Sequence, residues 1–600
     1  MKLLKTFNKI VDIILIPIQK NSIFFCMMYL LGIVTTFTQV LALHAKIPRI
    51  NFFTWIFDVY IICIFLLLFP RKTRKFIRIC IAACLYLLSV VDAFLNKLFY
   101  AKIGPEIINL LLETNQQESR EFLDQYLKFD IIFSGVGVIL ILILIHIISE
   151  CYYKQLYHKI NFWYRPTFKN ICAFITIISF GISIHSRIKL IQIMTAQNTA
   201  ETDLYINNYT LNTPANNLLF GFKMRQLANR DFSLIAEHQE KIHVDSCTYT
   251  SKHIIFIIGE SYIKSHSQLY GYPLPTTPRQ LKRTQKGAKG TLIPFSNVIS
   301  PANLTSVVFK NIFSLHSIDD KKSWTSYALF PVLFKDAGYH VTFITNQFVK
   351  NIQQDVFNFS GGLFLNDNRL NKLQFDTRNT STHQYDEGVL TDYDSLKRYN
   401  TGKDLTIFHL AGQHIYFDRR TPNERKVFKE NDYRKRNDLN EKERQTVADY
   451  DNATLYNDYV VDAIIELFEK EDAIVIYMPD HGEECYDSIH RVGRMPQGNY
   501  SPKMIVNEFE IPFWIWCSDS YIEKHPQIFN QIKEAKDRPF MTDDIPHLLL
   551  YLAGIQYKDY KESKNILCPL FDTKRKRMID GTVDFDEMLK KNNHLCTPNR

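Results

Sequence analysis

The sequence predicts two parts of unlike kind: a domain of five transmembrane helices within residues 1–190, and an α/β domain over residues 251–600 with a mostly parallel sheet covered on both faces. Three observations predict this. Apolar residues are 46% of the 600, yet they crowd into the first third. Five runs there, each near the ~20 residues a spanning helix needs, follow one another at regular intervals. Beyond residue 252, short continuous apolar runs alternate with stretches of helical period, the pattern of strands buried on both faces.

The five runs are 23–43, 52–69, 76–99, 129–149 and 168–188, and "GVGVILILILIHII" in the fourth is the clearest. The third holds Arg78, Asp92 and Lys97, which leaves its ends open. A cleaved leader is the rival reading of the first run, and the further spans behind it argue against that. Lys and Arg set the direction. Lys2, Lys5, Lys9 and Lys20 precede the first run, "RKTRK" separates the second and third, and Lys154, Lys159 and Arg165 separate the fourth and fifth. All three groups share one side if the amino terminus is cytoplasmic. Five crossings then place everything after about residue 190 on the outer side. The stretch 101–128 would lie there too, with the amphipathic character of a surface helix.

Residues 191–250 are polar ("TAQNTAETDLYINNYTLNTPANN") and read as a connector. Expected strands are "HIIFIIG", "HVTFIT", "LTIFHLA", "AIVIYMP" and "PFWIWC"; expected helices include "TSYALFPVLFKDAG" and "LYNDYVVDAIIELFEK". The charged stretch 418–444 reads as a solvated surface excursion in preference to an anion-binding patch. A formal charge of +9 with no basic tract interleaved with aromatics excludes nucleic acid as a partner. Of eleven cysteines, the five beyond the spans (Cys247, Cys485, Cys517, Cys568, Cys596) cannot all pair, and no CxxC occurs, so cysteine usage does not fix the compartment.

Sheets of this kind bind ligands beyond the carboxyl ends of their strands. Glu260 and Ser261 follow "HIIFIIG", and Asp480 and His481 follow "AIVIYMP". Alone, Glu260 is equally an acid favoured by a helix N-terminus. Paired with "DHG", it completes two carboxylates and one imidazole, a set that suits Zn²⁺ or a similar ion and leaves a coordination position open. His409 and His414 straddle the end of "LTIFHLAGQH". In "NLTSVVFKNIFS", Thr305 and Ser306 open a helix; Thr305 is either an N-cap or a hydroxyl that a metal could turn into a nucleophile.

The segments "GES", "YGYPLPTTP", "HLAGQH", "DHGEE" and "DDIPHLLLYLAGI" together resemble the membrane-bound phosphoethanolamine transferases of lipid A and lipopolysaccharide in Gram-negative bacteria. These belong to the alkaline phosphatase/sulfatase superfamily. The resemblance covers nearly the whole chain. It implies an α/β/α alkaline-phosphatase-like (sulfatase-like) domain in the periplasm, held by a multi-pass inner-membrane anchor. It also implies phosphatidylethanolamine as donor, lipid A or lipopolysaccharide as acceptor, a monomer, and a link to polymyxin resistance. At the site it implies Zn²⁺ on Glu260, Asp480 and His481, with Thr305 as metal-bound nucleophile. His409 and His414 are implied in substrate handling or a second metal, and Asn346 and Lys350 in contacts to phosphoethanolamine. Two departures stand out. Pro301 and Asn311 occupy places where many relatives have paired cysteines. The site histidine that relatives carry after "DHGE" has no clear match, and His490 and Arg494 are the alternatives. The rival readings are a glycerol-phosphate transferase of the lipoteichoic-acid-synthase type, a sulfatase, and a membrane scaffold or sensor. Absence of a CxPxR segment argues against the sulfatase, and the intact Glu260, Thr305, Asp480, His481 set against the scaffold.

Overall fold

A computed structural model describes residues 2–43, 50–99, 103, 129–152, 165–196, 202, 213–347, 363–494 and 500–595. Lys350 and the stretch 104–128 fall outside them. The chain divides into two compact units, Met1–Arg230 and Asp231–Arg600.

In the first unit all five apolar runs are helices: Ser22–Leu43, Ile50–Leu67, Arg71–Phe99, Gly135–Cys151 and Pro166–Thr195. Three of them are long and apolar enough to cross a membrane, and the helices over Phe52–Leu67 and Gly135–Cys151 are shorter. The inner faces of the first four share a core of Phe24, Met28, Leu31, Cys63, Leu66, Tyr86, Ile139 and Leu142, and the fifth packs through Ile193 on Trp55 and Phe220. Their outer faces stay apolar, as with Phe174 and Ile141, which suits a lipid surround. "RKTRK" is not a loop but the first turns of the third helix, whose start is set by the preceding Pro70. Buried Asp92 is satisfied by hydrogen bonds, accepting from Gln39 Nε2 at 2.8 Å, Asn96 Nδ2 at 3.0 Å and Ile103 N at 2.9 Å. Within the expected connector, Pro214–Gln239 is a helix, with proline in its first turn.

The second unit is built on seven strands: β1 (His253–Gly259), β2 (Thr291–Phe295), β3 (His340–Thr345), β4 (Thr377–Arg378), β5 (Asp404–His409), β6 (Ala473–Pro479) and β7 (Phe513–Cys517). Their order is β2-β7-β6-β1-β5-β3-β4. The sheet is mixed, because β7 ("FWIWC") runs antiparallel to both its neighbours while the other pairings are parallel. An apolar run carries no mark of its direction. β2 was hidden in the sequence by Pro294, which is tolerated because β2 is an edge strand.

Alternate residues of β1 enter opposite cores. Ile254, Phe256 and Ile258 pack with Val308, Phe309 and Ile312 of the helix Thr305–Phe313 and with Leu548 and Leu552 of Ile545–Ala553. Ile255 and Ile257 pack with Val460, Val461, Ile464 and Ile465 of Glu441–Phe468. This makes three layers, α/β/α, and explains why β1 has no polar side. The pairing register sets Gly259 opposite Pro479, and Ile258 and Thr345 both opposite His409. Four strands therefore finish at one edge, and the residues just beyond them emerge together.

Candidate metal and nucleophile site

Glu260 leaves β1 and Asp480 leaves β6 side by side, tied by the bond from Asp480 N to Gly259 O (3.0 Å). The turn after Glu260 is strained: Ser261 has φ +53°, a region that non-glycine residues rarely adopt and that clusters at functional sites. That turn lets Ser261 Oγ donate to Glu260 Oε1 (2.7 Å) and Ser261 N to Asp480 Oδ1 (3.2 Å).

His481 completes the cluster. Its Nδ1–H donates to Gly482 O (2.7 Å), so Nε2 carries the lone pair. That lone pair faces Asp480 Oδ2 at 3.1 Å and Glu260 Oε1 at 3.4 Å. Burial, reinforced by the Arg494 charge, pushes the imidazole pKa down to about 3, so the ring is neutral. Three buried acceptors thus converge, an arrangement that favours a cation beside it; burial raises the Asp480 pKa, and the Arg494 guanidinium is one cation already in contact with His481 Nε2. One ligand atom from each lies within 4.8 Å of the others. Two carboxylate oxygens and a neutral imidazole nitrogen fit zinc or a similar divalent ion.

Thr305 is the first residue of its helix. The N-cap position belongs to Leu304, with no side-chain capping bond. The Thr305 hydroxyl points instead into the cluster, 3.3 Å from His481 Nε2 and 3.5 Å from Glu260 Oε2. The segment is braced without a disulfide: Pro301 O accepts from Asp580 N (2.8 Å), and Asn311 Nδ2 donates to Val307 O (2.8 Å).

Arg494 reaches the same place. Its guanidinium packs on His481 Nε2, donates to Asn303 O (3.1 Å) and lies 3.6 Å from Glu483. Burial opposes its charge, but Glu483, Glu260 and Asp480 outweigh burial and raise its pKa. Burial pushes Glu483 up to about 7 against the pull of Arg494. His490 does not join the cluster: it is 61% exposed and pairs with Glu443 at 2.9 Å.

His409 is buried, in T-shaped contact with Phe309 and with its Nδ1 3.0 Å from Thr345 Oγ1; burial holds its pKa down to about 3. His414 is held down to about 4, by burial against the charge of Glu260. Asn346 spends its amide on the fold, donating to Asp386 Oδ1 (2.8 Å) and accepting from His383 N (2.6 Å). Asp386 in turn accepts from Ala411 N (2.9 Å) and Gly412 N (2.8 Å), which fixes the "HLAGQH" turn. That turn requires glycine: Gly412 has φ +48°, and a Cβ there would sit 2.9 Å from Glu260 N. The sequence reading missed Gln347, whose Nε2 bonds Glu260 Oε2 (3.2 Å) and Leu410 O (2.7 Å). Its only signal was adjacency to Asn346.

Gly482 supplies a second steric requirement. A Cβ there would lie 1.9 Å from the carbonyl oxygen of Asn507. Gly482→Ala is expected to cost about 1–3 kcal/mol or more and to displace His481. Thermal unfolding and metal content of the purified variant check it.

A buried latch holds the chain between His481 and Arg494. His266 Nδ1 donates to Asp451 Oδ1 (2.6 Å) and Nε2 to Asp487 Oδ2 (3.0 Å), so the ring is an imidazolium. Tyr272 and Tyr433 donate to the other oxygen of Asp451, and Tyr450 and Cys485 close the surround. Burial alone would discharge the ring, but Asp487 and Asp451 outweigh it and push its pKa up to about 10. The folded value exceeds the unfolded one of about 6.5. The stabilisation is therefore complete below the unfolded value and drains away as pH rises to about 10. Between about pH 7 and pH 10, the wild-type thermal midpoint is expected to fall more steeply than that of His266→Gln.

The geometry brings two carboxylates, a neutral imidazole and a threonine hydroxyl to one edge of an α/β/α domain, a set that could hold a metal ion, and comparison with known proteins gives the family. Residues 252–555 match the sulfatase family, so the chain belongs to it. Residues 60–194 match the family described as phosphoethanolamine transferase EptA/EptB. Phosphoethanolamine transferase EptC of Escherichia coli (strain RS218) is 25% identical over 512 residues, 84% of each chain. EptA of Helicobacter pylori is 30% identical over 334 residues, 54% of this chain and 57% of that one. The integral membrane lipooligosaccharide phosphoethanolamine transferase A of Neisseria meningitidis shares the fold, with a TM-score of 0.58 at 18% identity over 91% of this chain and 97% of that one. The chain is an enzyme that groups, over both units, with the membrane-bound phosphoethanolamine transferases.

Proposed function

We propose that the chain moves phosphoethanolamine from phosphatidylethanolamine to lipid A or lipopolysaccharide core, in two steps through Thr305. The anchor would cross the inner membrane five times, with the α/β/α domain in the periplasm and the enzyme acting as a monomer. One observation carries the reading: the Thr305 hydroxyl lies 3.3 Å and 3.5 Å from two members of the acid–imidazole cluster instead of capping its helix.

In the first step Thr305 Oγ bonds to phosphorus, the bond from phosphorus to the glycerol oxygen breaks, and the hydroxyl proton ends on the departing diacylglycerol. In the second an acceptor oxygen bonds to phosphorus, the bond to Oγ breaks, and the acceptor's proton restores the threonine. Glu260, Asp480 and His481 would hold Zn²⁺, which would supply Lewis-acid polarisation at the reacting oxygens. Gly482 keeps the His481 lone pair aimed inward. Arg494 is placed to pair with phosphoryl oxygens. His414, neutral at the site's edge, is suited to pass the acceptor's proton. Asn346 acts as a brace through Asp386, and Gln347 is the amide that faces the site.

The test is to give the full-length protein phosphatidylethanolamine without acceptor and map the adduct. Phosphoethanolamine on Thr305 supports the reading. Glycerol phosphate from a phosphatidylglycerol donor turns it to the rival transferase, and no adduct from either overturns it. Neutralising phosphate charge on the envelope is expected to weaken cationic-peptide binding, so deletion should raise polymyxin sensitivity; unchanged sensitivity counts against that effect.

A further inference from the structure

The irregular stretch between β5 and the helix Glu441–Phe468 is held as firmly as a core element. Phe417, Phe428, Tyr433 and Leu439 are buried and pack with Ile263, Val447, Tyr450 and Cys485. Buried Asn452 grips its backbone by three bonds: Oδ1 accepts from Val427 N (2.7 Å) and Phe428 N (2.9 Å), and Nδ2 donates to Phe428 O (2.8 Å). Ile263 and Cys485 lie just beyond Glu260 and His481, so this satellite core stands at the catalytic edge of the sheet. Solvation alone does not call for such anchoring; loops left to water carry few buried contacts.

What the anchoring displays is charge. From Phe417 to Arg436 there are eight Lys or Arg against four Asp or Glu. Some cations serve the fold: Arg425 stacks on Tyr459 at 4.0 Å, Lys426 donates to Asp418 O (2.7 Å), and Arg436 binds Asp438 and the Tyr486 carbonyl. Arg419, Lys429, Arg434 and Lys435 are exposed. Arg420 is the inner end of the row. It donates to His414 O (3.1 Å) and Ile415 O (3.0 Å), and His414 is within electrostatic reach of Glu260, His481 and Arg494. Arg420 at one end is thus tied to the turn that reaches the cluster, Arg436 at the other to the loop that carries Arg494, and the exposed cations lie on the stretch between them.

We propose that this excursion is the docking surface for the acceptor, engaging anionic groups on it through Lys429, Arg434 and Lys435, with Arg420 guiding one such group to the site. The inference rests on the transfer reading above and adds where the acceptor binds. Charge on a rigid rim raises encounter rate and fixes register without entering the chemistry.

The test uses full-length protein, lipid A acceptor with its phosphates intact or enzymatically removed, and the variant Lys429→Glu/Arg434→Glu/Lys435→Glu. All three side chains are exposed, so the thermal midpoint is expected to match wild type; Lys429→Gln/Arg434→Gln/Lys435→Gln serves if it does not. The variant should form the Thr305 adduct from phosphatidylethanolamine at the wild-type rate. Its KM for the phosphorylated acceptor should rise about tenfold or more, with kcat held and a shallower salt dependence. Unchanged KM and salt dependence, with the adduct formed, overturns the docking surface alone. An equal loss of equilibrium binding to the dephosphorylated lipid A also overturns it. Equal loss of binding to phosphatidylglycerol vesicles without acceptor overturns it in favour of a general lipid-surface contact. No adduct in the wild type sinks the transfer reading, and this inference with it.

Discussion

Replacing Thr305 by alanine is expected to abolish transfer, lowering the rate by about a thousandfold or more, the scale on which catalytic units fail when their nucleophile is removed. The covalent adduct should vanish with it. The fold should persist, because Thr305 caps nothing and its helix is held by Val308, Phe309 and Ile312 in the main core. Thr305→Ser keeps an oxygen at the same place and should retain part of the rate, with the adduct moved to serine. Metal content should stay near wild type in both, since Glu260, Asp480 and His481 remain. Mass spectrometry of envelope lipids from cells carrying each variant reads the result directly. A Thr305→Ala enzyme that still modifies lipid would put the nucleophile elsewhere.

Removing the metal, or one of its ligands, is expected to have the second largest effect. Loss of partners that merely orient ligands typically costs 10–100-fold in affinity, so Glu260→Gln, Asp480→Asn or His481→Ala should weaken zinc by about two orders of magnitude or more. Exhaustive chelation of the wild type should stop transfer and lower the thermal midpoint, because an ion bound only by the folded state stabilises it by mass action. The reason is local: His481 Nε2 lies 3.1 Å from Asp480 Oδ2 and 3.4 Å from Glu260 Oε1, acceptors all. Readdition of zinc should restore both signals. Protein that arrives with no divalent metal and keeps full activity after chelation would remove the basis of the mechanism.

Residues at the ends of buried strands were legible early. "HIIFIIGE" and "AIVIYMPDH" announce Glu260, Asp480 and His481 because an unbroken apolar run has to be a covered strand, and ligands gather where such strands stop. The Thr305 alternative was not decidable from sequence. A threonine at a helix start reads alike as cap or nucleophile until its neighbour Leu304 is seen to hold the cap position. Asn346 and Gln347 are adjacent amides, and nothing local says which one faces Glu260; the bond to Asp386, forty residues away, commits buried Asn346 to the fold. His490 and Arg494 were equal candidates for the same reason. The loop carrying them is set by the His266 latch and by the cluster of Ile263, Phe417 and Tyr450 around its own Cys485, all from other parts of the chain.

By itself the sequence determined the two-part plan, the five apolar helices, the three-layer domain and the strand ends at which Glu260, Asp480 and His481 stand. Each of these depends on periodicity or on one strand end, and both are local. Tertiary structure alone decided that β6 lies next to β1, that β7 runs backwards, that Arg494 packs on His481 and that the charged excursion is pinned at the rim. Those outcomes join residues far apart in the chain through pairing register and packing, and no stretch of sequence read alone contains the partner it will meet.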